Sequence, residues 1–370
     1  MTNPQRLKWI GRAVVSLAVL LALGIACLLV FPVGRYLLRA GWEEAGILAR
    51  RRAITDVIAD PATPPLLRAK LTLVQDARVY ARDSIGLQTG QSFTTYSTLA
   101  SDTLVLVLSG AYRDKLVPYT WSFPIVGRVP YKGYFDFAEA KRQLADLTSR
   151  GFDARLGGAS AFSTLGWFND PLLPTTVRGD SLTLANTVIH ELTHNTFYAS
   201  GGAVFNESFA NFVGSRGAER FFRSRGQGRA ADEVIARWKD DRMMGRFWAA
   251  LYRTVDSTFK AHPGDDAAHV QERIAIRDSI YAEARTTLVH DIGPQLITIS
   301  PRALERVRLD NAVLLSRRVY LTDLESFDAV LRNYRGDLRR AVLAIISAAK
   351  ENKGDPFAAV RALALTPAPR

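Results

Sequence analysis

His190-Glu191-Leu192-Thr193-His194 is the run in this 370-residue chain whose residue types and spacing could carry chemistry. Imidazoles four residues apart lie one above the other on a helix face. Both can then reach one zinc ion at ~2.0–2.1 Å. Glu191 stands one step round the helix from His190, poorly placed to share that ion. It can still reach a water beside the ion as a general base. The chain has 5 His, and random placement of its residues gives roughly 0.002 such runs. The bland alternative is two surface histidines flanking a salt-bridging glutamate.

A catalytic zinc wants three protein ligands and an open position. The metzincin pattern would put a glycine and then a histidine three and six residues after His194. The chain has Phe197 and Ser200 there, which excludes that class. The next acid is Glu207, 13 residues past His194 and across Gly201-Gly202. Phe205, Phe209, Phe212 and Val213 make its segment an amphipathic helix. Two helices joined by such a turn can pack and bring Glu207 to the metal. The other reading of Glu207 is a carboxylate favoured near a helix N-terminus by the macrodipole. Asn206 and Ser208 flank it and could orient it by hydrogen bonds, or Asn206 could cap the helix.

The motif needs a helix beneath it. Leu182, Leu184, Val188, Ile189, Leu192 and Phe197 provide an apolar one that Gly201-Gly202 ends. Upstream, 35–60 reads as helix, broken by prolines at 61–65. A second helix is expected over 66–85, with Leu71, Val74 and Val79 at helical spacing. Strands are expected at 104–108, 119–129, 131–135, 153–156 and 161–165. A helix over 137–149 stops at Gly151. From 181 onward nearly everything reads as helix, broken at Gly226–Gly228, Pro263-Gly264, Pro294 and Pro301. The fold class expected is α+β: a mixed α/β portion at 86–180, metal-site helices at 181–223 and a helical part at 229–370.

The N-terminus has its own character. Residues 13–34 carry no charge, behind a basic segment 1–12 that holds Arg6, Lys8 and Arg12. That length suits a bilayer-crossing helix, with the N-terminus cytoplasmic. An uncleaved signal anchor, a lipoprotein anchored at Cys27, and a cleaved signal peptide are the competing forms. All three place the rest of the chain outside the cytoplasm, in the periplasm or cell envelope. The lone cysteine excludes an intrachain disulfide framework. Lys plus Arg is 48 against 36 Asp plus Glu, a formal net charge of +12. That surplus is spread out and lacks interleaved aromatics, so a nucleic-acid partner is not expected.

Four stretches carry a family resemblance: TWSFPIVGRVPYKGYF at 120–135, STLGWFNDPLL at 163–173, the HExxH run, and AVFNESFANFV at 203–213. A further piece runs from Asn311 to Tyr320. Together they resemble the gluzincin zinc peptidases and, more narrowly, a family of exported bacterial proteins known as putative aminopeptidases. The resemblance implies a zincin-like metallopeptidase domain acting on peptides. It implies one catalytic zinc on His190, His194 and Glu207, with Glu191 as base. It makes Tyr320 a candidate oxyanion donor, with His290 and Tyr252 as competitors. It also places Thr164, Gly166 and Trp167 along the substrate cleft. An aminopeptidase further needs an acid for the substrate's free amine; Asp170 and Glu219 are on offer and nothing selects one. The rival readings are a zinc endopeptidase, a non-catalytic zinc-containing envelope binding protein, and a structural envelope protein.

Overall fold

The computed structural model describes residues 29–99, 105–123, 127–159 and 171–366, with scattered positions before 29. Half of the expected anchor segment 13–34, Cys27 included, lies outside the described residues. So do Thr164, Gly166, Trp167, Asp170 and the strand expected at 161–165.

Helix α1 (Pro32–Ala49) starts with proline at its first helical position, where a missing N–H costs nothing. The single helix expected over 35–60 is interrupted. Strand β1 (Arg51–Ala53) precedes a short α2 (Ile54–Ala59) and pairs antiparallel with β2 (Thr95–Ser97). Helix α3 (Pro65–Tyr80) runs on as a π-helical turn, Ala81–Ile85, and buries Leu71, Val74 and Ala77. Val79, expected on that apolar face, is exposed instead.

Strand β3 (Val105–Ala111) comes next, then a two-stranded hairpin of β4 (Trp121–Phe123) and β5 (Gly127–Val129). After the hairpin lie β6 (Tyr131–Tyr134), α4 (Phe137–Ser149) and β7 (Asp153–Ala159). β3 is the middle strand of an antiparallel three, with Leu106 opposite Tyr134 and Leu108 opposite Leu156. Leu108, Tyr134 and Ala154 bury one face against Ala140 and Leu147 of α4.

The remainder is helical: α5 (Pro174–Val177), α6 (Ser181–Thr196), α7 (Ala203–Ser224), α8 (Gly228–Ala261) and α9 (Ala267–Thr286). α9 continues as a π-helical turn, Thr287–Ile292. Then come α10 (Pro301–Glu305), α11 (Asn311–Tyr320), α12 (Leu324–Asn333), α13 (Leu338–Glu351) and α14 (Pro356–Leu365). The expected class, an α+β zincin-like domain with a membrane-spanning N-terminal helix, is therefore corrected. The described chain is mostly helix, with its strands confined to three small sheets. Among the described residues no helix is long and apolar enough to cross a membrane. The aromatic, Pro- and Gly-rich stretch read as a strand-bearing region forms strands of only three or four residues at 121–134.

Two cores hold the helices. The larger joins α3, α6, α7, α12 and α13, and contains a cluster of rings from Phe205, Phe209, Phe212, Phe327 and Phe357. The smaller joins α8, α9 and α11 around Trp248, Leu251, Tyr281 and Leu314. Beside the smaller core, the Asp153 carboxylate at the start of β7 accepts from Arg277 of α9 and, at 2.9 Å, from the Asn311 N–H that opens α11.

Candidate metal centre

α6 and α7 form an antiparallel hairpin whose close approach depends on glycine. A Cβ at Gly214 would stand 2.6 Å from Asn186 Oδ1 and 3.2 Å from His190 Cβ. One at Gly217 would meet Ile189 Cγ2 at 2.9 Å. Bare backbone at these points lets α7 lie directly on the face of α6 that bears His190.

α6 is anchored at its start. The Asp180 carboxylate caps it, accepting from Thr183 N–H at 2.7 Å, and is gripped by Arg237 of α8 at 2.8 Å. The Arg237 hydrogen bond is the largest of the influences that hold the Asp180 carboxyl at about 2. Beyond the far end, the connecting loop is clipped by Asn206. Its buried amide accepts from Ala199 N–H and donates to Ala199 C=O, both at 2.8 Å. Asn206 thus ties the loop, and the helix N-cap is Gly202. Gly201, at φ +73, takes the left-handed turn.

This frame brings His190, His194 and Glu207 together, their ligating atoms all within 4.8 Å of one another. The two Nε2 atoms are 3.2 Å apart. The Glu207 carboxylate lies 3.2 Å from His190 Nε2 and 3.5 Å from His194 Nε2. Three ligands of a tetrahedral ion at ~2.0–2.1 Å would stand ~3.3–3.4 Å apart, so the spacing fits a zinc-sized cation. The electrostatics agree. Burial works against the Glu207 charge, yet hydrogen bonds from both histidines hold its carboxyl at about 2. Burial likewise opposes charge on His194, but Glu207 foremost, and then Glu191, raise it on balance. His194 Nδ1 is buried with no hydrogen-bond partner among the described residues.

Glu191, half-buried beside His190, makes no hydrogen bond or ion pair among the described residues. Ser208 reaches away from the carboxylate. Its hydroxyl donates to Val319 C=O at 3.2 Å and accepts from Thr322 N–H at 3.1 Å. Asn211 donates to Tyr320 C=O at 3.3 Å. α7 therefore holds the end of α11, and with it Tyr320, beside the triad. Burial first, then the charges of Glu207 and Glu191, push the Tyr320 phenol up to about 12. The Tyr252 ring sits under the Arg318 guanidinium at 3.6 Å, and His290 belongs to the π-helical turn after α9. Glu219 is twelve residues beyond Glu207 on α7, ~18 Å along the axis, and is paired with Arg220 and Arg223.

Two tyrosines were not singled out from the sequence. Tyr198 packs edge-on to His194 with ring centroids 6.2 Å apart. It lies past the end of α6, after the extended Phe197, so helical spacing gave no sign of it. Tyr131, at the start of β6, is close enough to Tyr320 to raise its phenol further; only tertiary packing brings it there.

Two imidazoles and a carboxylate converging at this spacing are the donor set of a divalent-metal site. Residues 35–356 match the family model described as "Putative aminopeptidase", and the chain belongs to that family. Comparison with curated proteins and with solved structures gives no match.

Proposed function

We propose that the protein is a zinc-dependent peptidase, an aminopeptidase by preference, in which His190, His194 and Glu207 hold the ion. The observation that carries this reading is the 3.2–3.5 Å triangle of ligating atoms with an uncommitted Glu191 next to it. Family membership supports the peptide substrate. When bound, such an ion supplies Lewis acidity to a carbonyl oxygen and acidifies water.

The chain's own residues do the rest. Glu191, unpaired among the described residues, takes a proton from the attacking water and delivers it to the leaving amine. Tyr320, with its phenol raised to about 12, keeps its O–H at neutral pH and donates it to the oxygen that gains charge. Ser208 and Asn211 keep that phenol in place by gripping the backbone that carries it. Tyr198, beside His194, and Tyr131, near Tyr320, are exposed and offer flat apolar surface to a substrate side chain.

The test is metal content and hydrolysis of a peptide library by the full chain and by Glu191→Gln. About one zinc per chain in both is expected, with hydrolysis reduced ~10²–10⁴-fold in the variant. Loss of cleavage on N-terminally blocked peptides would mark an exopeptidase. Wild-type protein without metal, or a variant as active as wild type, would sink the reading.

A further inference from the structure

A second concentration of charge lies away from the metal. α7, α8 and α12 enclose a cavity of about 450 Å³. Arg216 and Arg220 enter it from α7, Lys239 and Arg242 from α8, and Arg332 and Arg335 from the end of α12. Among the described residues, the only acid lining it is Asp328. That carboxylate is spent on Arg242 at 2.9 Å, Arg216 at 3.5 Å and the Trp238 indole N–H at 2.9 Å. Two acids near the rim are also spoken for, Glu219 by Arg220 at 3.1 Å and Glu325 by Arg242 at 2.5 Å. Counting all three carboxylates, three of the six cations remain uncompensated.

Two observations show which cations are in want of a partner. Among the described residues, Lys239, Arg332 and Arg335 make no ion pair and no side-chain hydrogen bond. Deeper in, Arg216 Nε faces Asp328 Oδ1 at 3.5 Å and the terminal nitrogens of Arg242 are held by Asp328 and Glu325, so it is the three outer cations that a bound anion would compensate. Arg335 also holds its side chain from a left-handed backbone at φ +53, a conformation a non-glycine residue adopts at some expense.

The lining is mostly arginine, whose planar fork matches tetrahedral oxyanions two bonds at a time. We propose that this cavity binds a phosphate-bearing anion carrying two or more negative charges. Arg216 is nine residues from Glu207 on the same helix, ~13 Å along its axis. The ligand therefore stands clear of the metal triad, and the proposal does not depend on the peptidase reading. A free phosphorylated small molecule and a phospholipid headgroup share this chemistry.

The experiment uses the full chain and the double variant Arg332→Gln, Arg335→Gly. Both side chains are exposed, and glycine is at ease at a positive φ, so the variant keeps its fold. Inorganic pyrophosphate is titrated against Tm, with chloride at matched ionic strength as control. Cosedimentation with phosphatidic acid vesicles, whose phosphomonoester headgroup can carry two charges, is measured alongside, against phosphatidylcholine alone. A saturable rise in Tm with pyrophosphate is expected, its midpoint weakened at least ~10-fold in the double variant. If vesicle binding is also lost in the variant and competed by pyrophosphate, the phosphate is a headgroup. If only the Tm rise depends on the two arginines, it is a free anion. A Tm shift equal in wild type and variant would place the anion elsewhere, at the metal triad for one, and overturn the proposal. So would no shift beyond chloride together with vesicle binding that ignores the variant.

Discussion

His194 sets how the triad responds to acid. Its raised pKa in the metal-free chain means that an incoming cation displaces a proton, because only neutral imidazole can ligate. Glu207, held at about 2, is already ionised and releases none. Zinc affinity should therefore rise with pH through and above the ordinary histidine range of ~6.5, with proton release on binding. Calorimetry in buffers of differing ionisation enthalpy checks this, and a pH-independent affinity between 5 and 8 would contradict it. Tyr320→Phe separates a donor from a structural ring. Metal content should be unchanged and kcat lowered ~10–10³-fold. An unaltered kcat would remove Tyr320 from the chemistry. The HExxH spacing and the acid beyond the Gly-Gly turn were legible at this scale, because helical geometry converts spacing directly into position. The work of Asn206 and Ser208 was not, since Asn206 closes on Ala199 through the shape of the loop and Ser208 bonds to backbone that only tertiary packing brings near.

The helix pair depends on its small residues and its caps. Gly214→Val should push α7 off α6, costing ~1–3 kcal/mol as overpacking does, and spread the triad so that metal retention falls with stability. A urea melt and a zinc assay on one preparation read both. At the other end, Asp180→Ala removes the cap of α6 and should cost ~0.5–2 kcal/mol. The pH sense comes from its depressed carboxyl. Held at about 2 in the fold against ~3.9 unfolded, Asp180 stabilises fully above ~4. That contribution fades as pH falls towards 2. Wild type and variant should differ in urea midpoint at pH 7 and converge near pH 2. Element types came through well in the sequence where periodicity was long. The helix expected over 137–149 forms as α4, and the 66–85 helix forms with its last turn wound as π. The 35–60 helix failed because the pairing of Arg51–Ala53 with Thr95–Ser97 outweighs local propensity over three residues.

Across the whole molecule, one buried ion pair joins sheet to helices. Arg277 and Asp153 have side chains 3% and 7% exposed, and burial already pushes the Asp153 carboxyl up. Arg277→Ala would strand that carboxylate and should cost ~3–5 kcal/mol in a urea melt. A cost under ~1 kcal/mol would mean the joint is carried by the Asn311 contacts instead. The fold class misread from sequence has the same root. Aromatic and β-branched texture at 119–135 signals extended chain, but it cannot say that each strand stops after three or four residues, with β4 and β5 pairing only with each other. The glycine contacts between α6 and α7 were equally hidden, because a glycine within a helical pattern gives no sign of what lies against it.

The triangle of ligating atoms is closed by packed helices, a clipped loop and two glycine contacts, none of which needs an ion. A cavity whose dimensions are set before its guest arrives acts as a gauge. Calcium, which takes six to eight oxygen ligands at ~2.3–2.6 Å, finds too few donors, two of them nitrogen, and too narrow a gap. Among borderline transition ions, which such nitrogen and oxygen donors all suit, occupancy would then follow both supply and the intrinsic affinity order. Chelation should empty the chain without unfolding it, and cobalt or manganese offered afterwards should enter the same three side chains.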